Sequence, residues 1–309
     1  MLHMLKQTCC FLIFLVMLVC VPALNNQVHG QGIQNMKDAE DSLAAILKSI
    51  NNADEDSLKY VLNDSFYHTL LNALMLPASD NSMFESLKTL IKISSDDGKF
   101  RIFHWNLPTH DGKKRYFGFL KLLNVETPTV FPLRDYSDSI TSPESALLDY
   151  HHWFGALYYT SISCTTMLGK KYYTLLGWAG NDATITQKVI EILSFDDHNI
   201  PQFGLPVFPN YEAGTMTRII FRYSASTSMS LKYEEQIISS EKKWNPRKRD
   251  FDYKTKSAVM IVFDRLVPIE PQLEGQFQFY ITDGNIFDAF QFVNGSWNFI
   301  QGIESKNKH

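Results

Sequence analysis

The sequence predicts an α+β fold: a short N-terminal helical region followed by a large antiparallel β-meander, curved or two-layered. Three observations predict it. Apolar residues recur at helical spacing from Met36 to Ile93. From Lys99 onward, about ten short runs rich in aromatic and β-branched residues either alternate or are apolar on both faces. Asp-Gly or Asn-Gly pairs, at 97, 111, 283 and 294, precede four aromatic runs, and these are the residues of tight turns. Their spacing is irregular, so no repeat array is expected. Helices first and sheet afterwards is the α+β order, and sequential turns make sequential antiparallel neighbours.

The first thirty residues read as a processing segment. Lys6 gives a short positive start, Cys9 to Val21 is an unbroken apolar run, and no acid occurs before Asp38. The run is shorter than the roughly twenty residues of a membrane span, but suits the apolar part of a secretory signal. Val28-His29-Gly30 places cleavage before Gln31, with Ala23 as the alternative site. Cys20 follows Val19, where a lipid-attachment box needs Gly, Ala or Ser, so no lipid is expected. Cleavage leaves Cys164 alone of the four cysteines, and one cysteine makes no intramolecular disulfide. Its setting, TSISCTTML, favours a buried, inert thiol. Loss of Lys6 leaves 28 basic residues against 33 acidic ones, a net charge of −5. That surface holds no field for nucleic acid, and no later apolar run is long enough to span a membrane. The chain thus divides into a signal peptide (1–30), a helical region (31–94), an antiparallel β-rich domain (95–303) and a polar tail (304–309). Its expected place is periplasmic or extracellular.

Leu43, Ile46, Leu47 and Ile50 form the stripe of a first helix that ends at Asn51-Asn52. A second starts near Asp56 or Ser57, with Leu58, Val61, Leu62, Phe66, Leu70 and Leu74 as its stripe, and stops by Pro77. Ser82 to Glu85 fits a capping box for a third helix running through Leu87, Leu90 and Ile91. Asp97-Gly98 then opens a hairpin. In Lys99 to Trp105, Phe100, Ile102 and His104 share one face, and Arg101, Phe103 and Trp105 the other. Asp111-Gly112 leads into the second strand, Arg115 to Leu122. Val125 to Tyr136, with Pro128 and Pro132, reads as a loop, and Ser142-Pro143-Glu144 as a short helix entry.

Ala156 to Met167 and Tyr172 to Trp178 are strands split by Gly169-Lys170-Lys171. The second is apolar on both faces, as a central strand is. Lys188 to Phe195 is a further strand, and Pro201, Gly204, Pro206 and Pro209 mark a loop. Arg218 to Tyr223 and Met229 to Glu234 alternate cleanly. Ala258 to Phe263 is central, Phe277 to Ile281 alternates, Asp283-Gly284 turns into Phe287 to Val293, and Asn294-Gly295 turns into Trp297 to Ile300.

DGKFRIFHW, KRYFGF, YYTLLGWAGND, RIIFRYSASTSMSLKYEE, AVMIVFDRLVP and TDGNIFDAFQFVNGSW together resemble an uncharacterised family of secreted proteins of Bacteroidetes-type bacteria. The resemblance covers roughly Asp97 to Trp297. It implies a compartment and a fold, and it carries no catalytic residue.

The candidate chemistry is sparse. His104 with His110, and His151-His152, are the metal-ligand candidates, but no HExxH, cysteine pair or EF-hand loop accompanies them, so no metal and no cofactor is expected. Adjacent histidines in a strand point to opposite faces. Gly-x-Ser-x-Gly is absent, Ser239-Ser240-Glu241-Lys242 matches Ser-x-x-Lys by letters only, and no catalytic residue is assigned. Nucleotide-binding loops are absent as well. If a ligand cleft exists, His104 with Trp105 and His151 with Trp153 are its first candidates, because sugar sites use exposed rings; sheets also bury them. Lys242 to Lys256 holds seven basic and two acidic residues. It reads as a solvated hairpin tip that keeps the sheet edge from pairing. Its functional reading is a docking loop for an acidic partner or a phosphate-bearing envelope lipid, with Lys243, Trp244, Arg247, Lys248 and Arg249 in contact. The expected function is a non-enzymatic binding or interaction module of the cell envelope, whose partner is an envelope protein or glycan. The alternative is a hydrolase of envelope polymer or glycan.

Overall fold

Two helices lead the described chain, the amphipathic α1 (Met36–Asn52) and α2 (Asp56–Leu74). Asn35 caps α1 by accepting from the Asp38 backbone N–H, which satisfies one of its orphan donors. The computed structural model describes residues 35–180, 182–212, 214–245, 247 and 249–303. The expected signal segment with Cys9, Cys10, Cys20 and the expected cleavage site before Gln31, together with Pro246, Lys248 and the 304–309 tail, lies outside the described residues. All described elements belong to one unit, Ile33–His309.

Fourteen described strands form three antiparallel sheets, none closed into a barrel. The first has the order β1 (Ile91–Ser94), β2 (Phe100–Pro108), β3 (Lys114–Leu122), β4 (Thr129–Arg134). The second contains β5 (Leu148–Asp149), β6 (Leu157–Thr165), β7 (Lys171–Gly180), β8 (Ile185–Phe195), β9 (Pro201–Phe203) and β10 (Ile219–Ser224). Its order is β5-β9-β8-β7-β6, with β10 also pairing β8. The third is the meander β11 (Leu231–Asn245), β12 (Asp250–Pro268), β13 (Tyr280–Val293), β14 (Ser296–Ile303).

The alternation of side chains stacks these parts into layers. On β2, Phe103, Trp105 and Leu107 pack with Leu43, Phe66 and Leu70 of the helices. Phe100 and Ile102, on the opposite face, pack with Tyr173, Leu175 and Val189 of the second sheet. On β7, Tyr172 and Leu176 face the other way, into a core with Ile261, Phe263 and Trp297 of the third sheet. The order is helices, sheet, sheet, sheet. A strand covered on both sides needs apolar residues at both parities, which is what β2 and β7 carry.

Polar contacts register the layers. Asp97, in the β1–β2 turn, accepts from Lys171 Nζ (2.8 Å) and the Tyr173 hydroxyl (2.9 Å) on β7. Burial alone would raise this carboxyl, but the Lys171 ammonium and the hydroxyl and N–H donors around it hold it well below the carboxylate range. Inside the second sheet, Arg218 Nε donates to Glu191 at 2.8 Å, both side chains fully buried. At Asn294-Gly295, both φ angles are positive (51° and 79°), the two-residue turn that matches strand twist. A Cβ on Gly295 would stand 2.5 Å from the Met167 backbone nitrogen, so the turn docks where only glycine fits.

Several segments differ from their sequence expectation. Residues 81–90 form no helix. Phe84 has φ 45°, Glu40 accepts from the Ser86 N–H, and Lys92 Nζ donates to the Phe84 and Leu87 carbonyls, so the segment is a pinned coil leading into β1. Val125 to Tyr136 contains a strand, β4, which tolerates Pro132 because it is an edge. Residues 142–147 turn without a helix, with Ser142 at φ 52°. Pro201 starts the short strand β9. Residues 277–279 are a 3-10 turn, and Asp283-Gly284 is an irregularity inside β13, opposite Arg265, where the register jumps from Asp264↔Phe287 to Leu266↔Thr282. On α2, Phe66, Leu70 and Leu74 are buried as expected, but Leu58 and Val61 are exposed. Asn63 takes the inward position instead and accepts from Trp105 Nε1 at 2.7 Å.

Candidate functional site

The four ring residues singled out as a cleft do not line one. His104 and Trp105 are neighbours on β2 and so point to opposite faces. Trp105 is buried under α2, stacked on Phe117 with ring centroids 5.6 Å apart. His104 is fully buried between the first and second sheets. Its Nε2 accepts from the Tyr158 N–H (2.7 Å), which leaves the proton on Nδ1 to donate to the Ile91 carbonyl (2.9 Å). Burial pushes its pKa down to about 4. Trp153 is buried in the same layer, its Nε1 donating to the Tyr158 hydroxyl at 2.8 Å. His104 and Trp153 therefore meet through Tyr158, as core. His151 is exposed against Tyr150, and with His152 it lies on a 3-10 turn capped by Asp149, not on a strand.

His110 sits at the β2–β3 turn and holds the start of α2: Asp56 accepts from its backbone N–H (2.9 Å) and from Nδ1 (2.8 Å). Among the described residues, no group of three or more His, Cys, Asp or Glu could hold a metal ion. Cys164 is buried, and burial pushes its thiol up to about 11. The basic stretch is the end of the β11–β12 hairpin, which pairs down to Asn245↔Asp250. Lys243 lies on β11, and Trp244, Arg247 and Arg249 are exposed near the tip.

An open hollow lies elsewhere, at residues that the sequence reading did not single out as a site. An open groove of about 720 Å³ runs between one face of α2 and the ends of β3 and β4. Tyr60, Val61, Asp64 and Tyr67 share the α2 side because they fall one and two helical turns apart. Phe117 and Leu133 supply the sheet side. Beneath them lies the Trp105–Asn63 pair, which fixes the helix against the sheet.

The ends of the groove are polar. Arg115 pairs with Asp138 at 2.6 Å, and that pairing raises its pKa further. Arg134, at the end of β4, is exposed, and its guanidinium has no ion-pair or hydrogen-bond partner among the described residues. Asp135 accepts from the Tyr116 N–H and from the Ser137 N–H and hydroxyl, yet burial still pushes its carboxyl up. Gly155, at φ 74°, abuts it: a Cβ there would stand 2.5 Å from the carboxylate.

No family model, curated protein or solved structure matches the chain. The chemistry of the groove itself then carries the reading. Aromatic and aliphatic walls favour apolar groups, and an unpaired guanidinium at one end favours a carboxylate. No helix among the described residues is long and apolar enough to cross a membrane.

Proposed function

We propose that this protein is an exported binding module of the cell envelope, and that its groove docks an apolar, acidic-ended segment of a protein partner. The observation that carries the reading is the outer face of α2. Leu58, Tyr60 and Val61 are 48, 43 and 67 % exposed, on the very helix whose other face builds a core. Tyr60 and Val61 form one bank of the groove, facing Phe117 and Leu133. Apolar side chains gathered at a concave surface, rather than scattered singly, are what a docking partner covers. Arg134 adds polarity to the site: an acidic residue on the partner fixes which way the segment lies. The export part of the reading is supported by the Lys6 to Gly30 pattern.

The test is selection of peptides on the mature protein from a display library, followed by binding to Val61→Glu and Arg134→Glu. Expected ligands combine apolar residues with an Asp or Glu and lose about tenfold or more in affinity to each variant, the loss that removing one good contact brings. Both changes are at exposed positions and leave the fold intact. Selected peptides that bind both variants as well as the wild type would place docking outside the groove. Retention of the full-length chain in the cytoplasm after cell fractionation would remove the envelope assignment.

A further inference from the structure

The β11–β12 hairpin outruns its own sheet. β13 pairs β12 between Met260 and Pro268, whereas β11 follows β12 down to Asn245↔Asp250. From Ile237 and Ser257 outward the two strands form a ribbon, with no third strand paired to it among the described residues. Two-stranded ribbons are marginal in water, and three or more strands are needed for stability of their own. β11 is also an edge, since among the described strands it pairs with β12 alone. Its outward N–H and C=O groups are a template for another strand.

The register says which strand fits. Glu234 and Glu235 stand opposite Met260 and Val259, and Lys242 and Lys243 opposite Tyr253 and Asp252. At Ile238 the pairing steps from Ile237↔Ser257 to Ser239↔Lys256, a bulge that shifts the parity of β11 by one. Glu234 and Lys243 therefore fall on one face of the sheet, both opposite even positions of β12. Tyr233, Glu235, Lys242 and Trp244 fall on the other, opposite Ile261, Val259, Tyr253 and Phe251. Without the bulge, the acids and bases that match in spacing would lie on opposite faces.

Reversed, this strand is complementary to itself. An antiparallel copy with its Ser239 opposite Ser239 sets Glu234 against the partner's Lys243 and Glu235 against the partner's Lys242. Tyr233 meets the partner's Trp244 in the same way; these rings are 39 and 51 % exposed in the single chain. Two-fold symmetry makes each match twice. The rows stay consistent across four strands. One reads Asp252, Lys243, the partner's Glu234, the partner's Met260; another reads Phe251, Trp244, the partner's Tyr233, the partner's Ile261. No like charges stand directly opposite. Moving the axis to Ile237 sets Lys232 against Lys243 and Glu234 against Glu241, and moving it to Ser240 removes every opposed ion pair.

We propose that two copies of this chain join β11 to β11, antiparallel, about a two-fold axis at Ser239. The third sheets then form one continuous sheet. Each protruding ribbon lies along the partner's β11, which is backed by the partner's β12 and β13, and so gains the support its own sheet does not extend to it. The charges of the arm deter an arbitrary strand and accept their own reversed sequence.

Sedimentation of the mature protein over a range of concentrations tests this, and a dimer is expected. Reversing the acids (Glu234→Lys with Glu235→Lys) or the bases (Lys242→Glu with Lys243→Glu) should weaken association about tenfold or more, because like charges then oppose each other. An equimolar mixture of the two variants should associate again, as mixed dimers. Ser239→Cys should cross-link to a dimer under mild oxidation, since directly paired Cα atoms lie about 4.5–5.5 Å apart, within disulfide reach. Lys243→Cys, which the axis holds away from its own copy, should not, and buried Cys164 stays out of the reaction in both. The groove variant Val61→Glu should leave association unchanged, so that failure of the groove reading and failure of this one are told apart. A monomer at every concentration, a dimer indifferent to charge reversal, folded variants that stay apart when mixed, no cross-link through Ser239→Cys, or a dimer broken by Val61→Glu would each overturn the proposal.

Discussion

Acidification should destabilise this protein through His104 before most of its carboxylates titrate. Unfolded, the imidazole takes a proton near 6.5; folded, it takes one only near 4, because burial penalises the charged ring and Nε2 already accepts the Tyr158 N–H. Between these values the unfolded chain binds more protons, so stability falls as pH falls. The contribution is complete above about pH 6.5 and is lost progressively down to about pH 4. Roughly 2.5 pH units at about 1.36 kcal/mol each give a loss of roughly 3 kcal/mol. Set against the usual 5–15 kcal/mol of a folded domain, that is a large share from one residue. The assay is urea unfolding at pH 7.5, 6.5, 5.5 and 5.0, for the wild type and His104→Gln. Glutamine keeps an acceptor for Tyr158 but does not titrate, so the wild-type line should be the steeper between pH 6.5 and 5. Parallel lines would refute the reasoning. Should the variant not fold, the His104 ring-proton titration in the native wild type decides the matter, and a midpoint near 6.5 would refute it equally.

Other expectations follow from contacts already described. Cys164, with its thiol pushed up to about 11, should label slowly with a maleimide in the native protein and freely in urea. Arg218→Met should destabilise by about 3–5 kcal/mol because Glu191 is left buried and charged; the double change with Glu191→Met should recover much of this in denaturant melts. Gly295→Ala should lower the melting temperature by several degrees, since a left-handed alanine costs roughly 1–2 kcal/mol before its contact with the Thr166–Met167 backbone is counted. The intact mass of the exported chain should match a start at Gln31 without lipid, and a diacylglycerol adduct on Cys20 would contradict the processing argument.

Period and turn chemistry read most of the fold from sequence. The two helices, the Asp97 hairpin, the both-faced strand at Tyr172 to Trp178 and the Asn294-Gly295 turn all lie where pattern places them, because each rests on local rules. The misses have identifiable causes. Ser82 to Ile91 has helical letters, but Glu40 and Lys92 hold it as coil through contacts that no local window contains. Pro132 argues against a strand only in a sheet interior, and β4 is an edge. Parity already puts His104 and Trp105 on opposite faces, and pairing them in one cleft goes against it. It also would have turned Glu191 inward, between Val189 and Leu193, and flagged a buried charge whose partner lies 27 residues away. The groove left a fainter trace, in Tyr60, Asp64 and Tyr67 on one helical face. Arg134 left none, since its importance depends on what α2 and β3 bring beside it.

The layered order also constrains how the chain can be made. Synthesis delivers the helices and first sheet before the second, and the second before the third. Each sheet therefore waits, with one greasy face bare, for a successor still to emerge. Until β11 to β14 arrive, Tyr172, Leu176, Ile190 and Phe221 have nothing to shield them. Half-made molecules of this kind stick to one another readily. Pairing mainly between strands close in sequence shortens that wait, and a holding chaperone would find its footing on the second sheet.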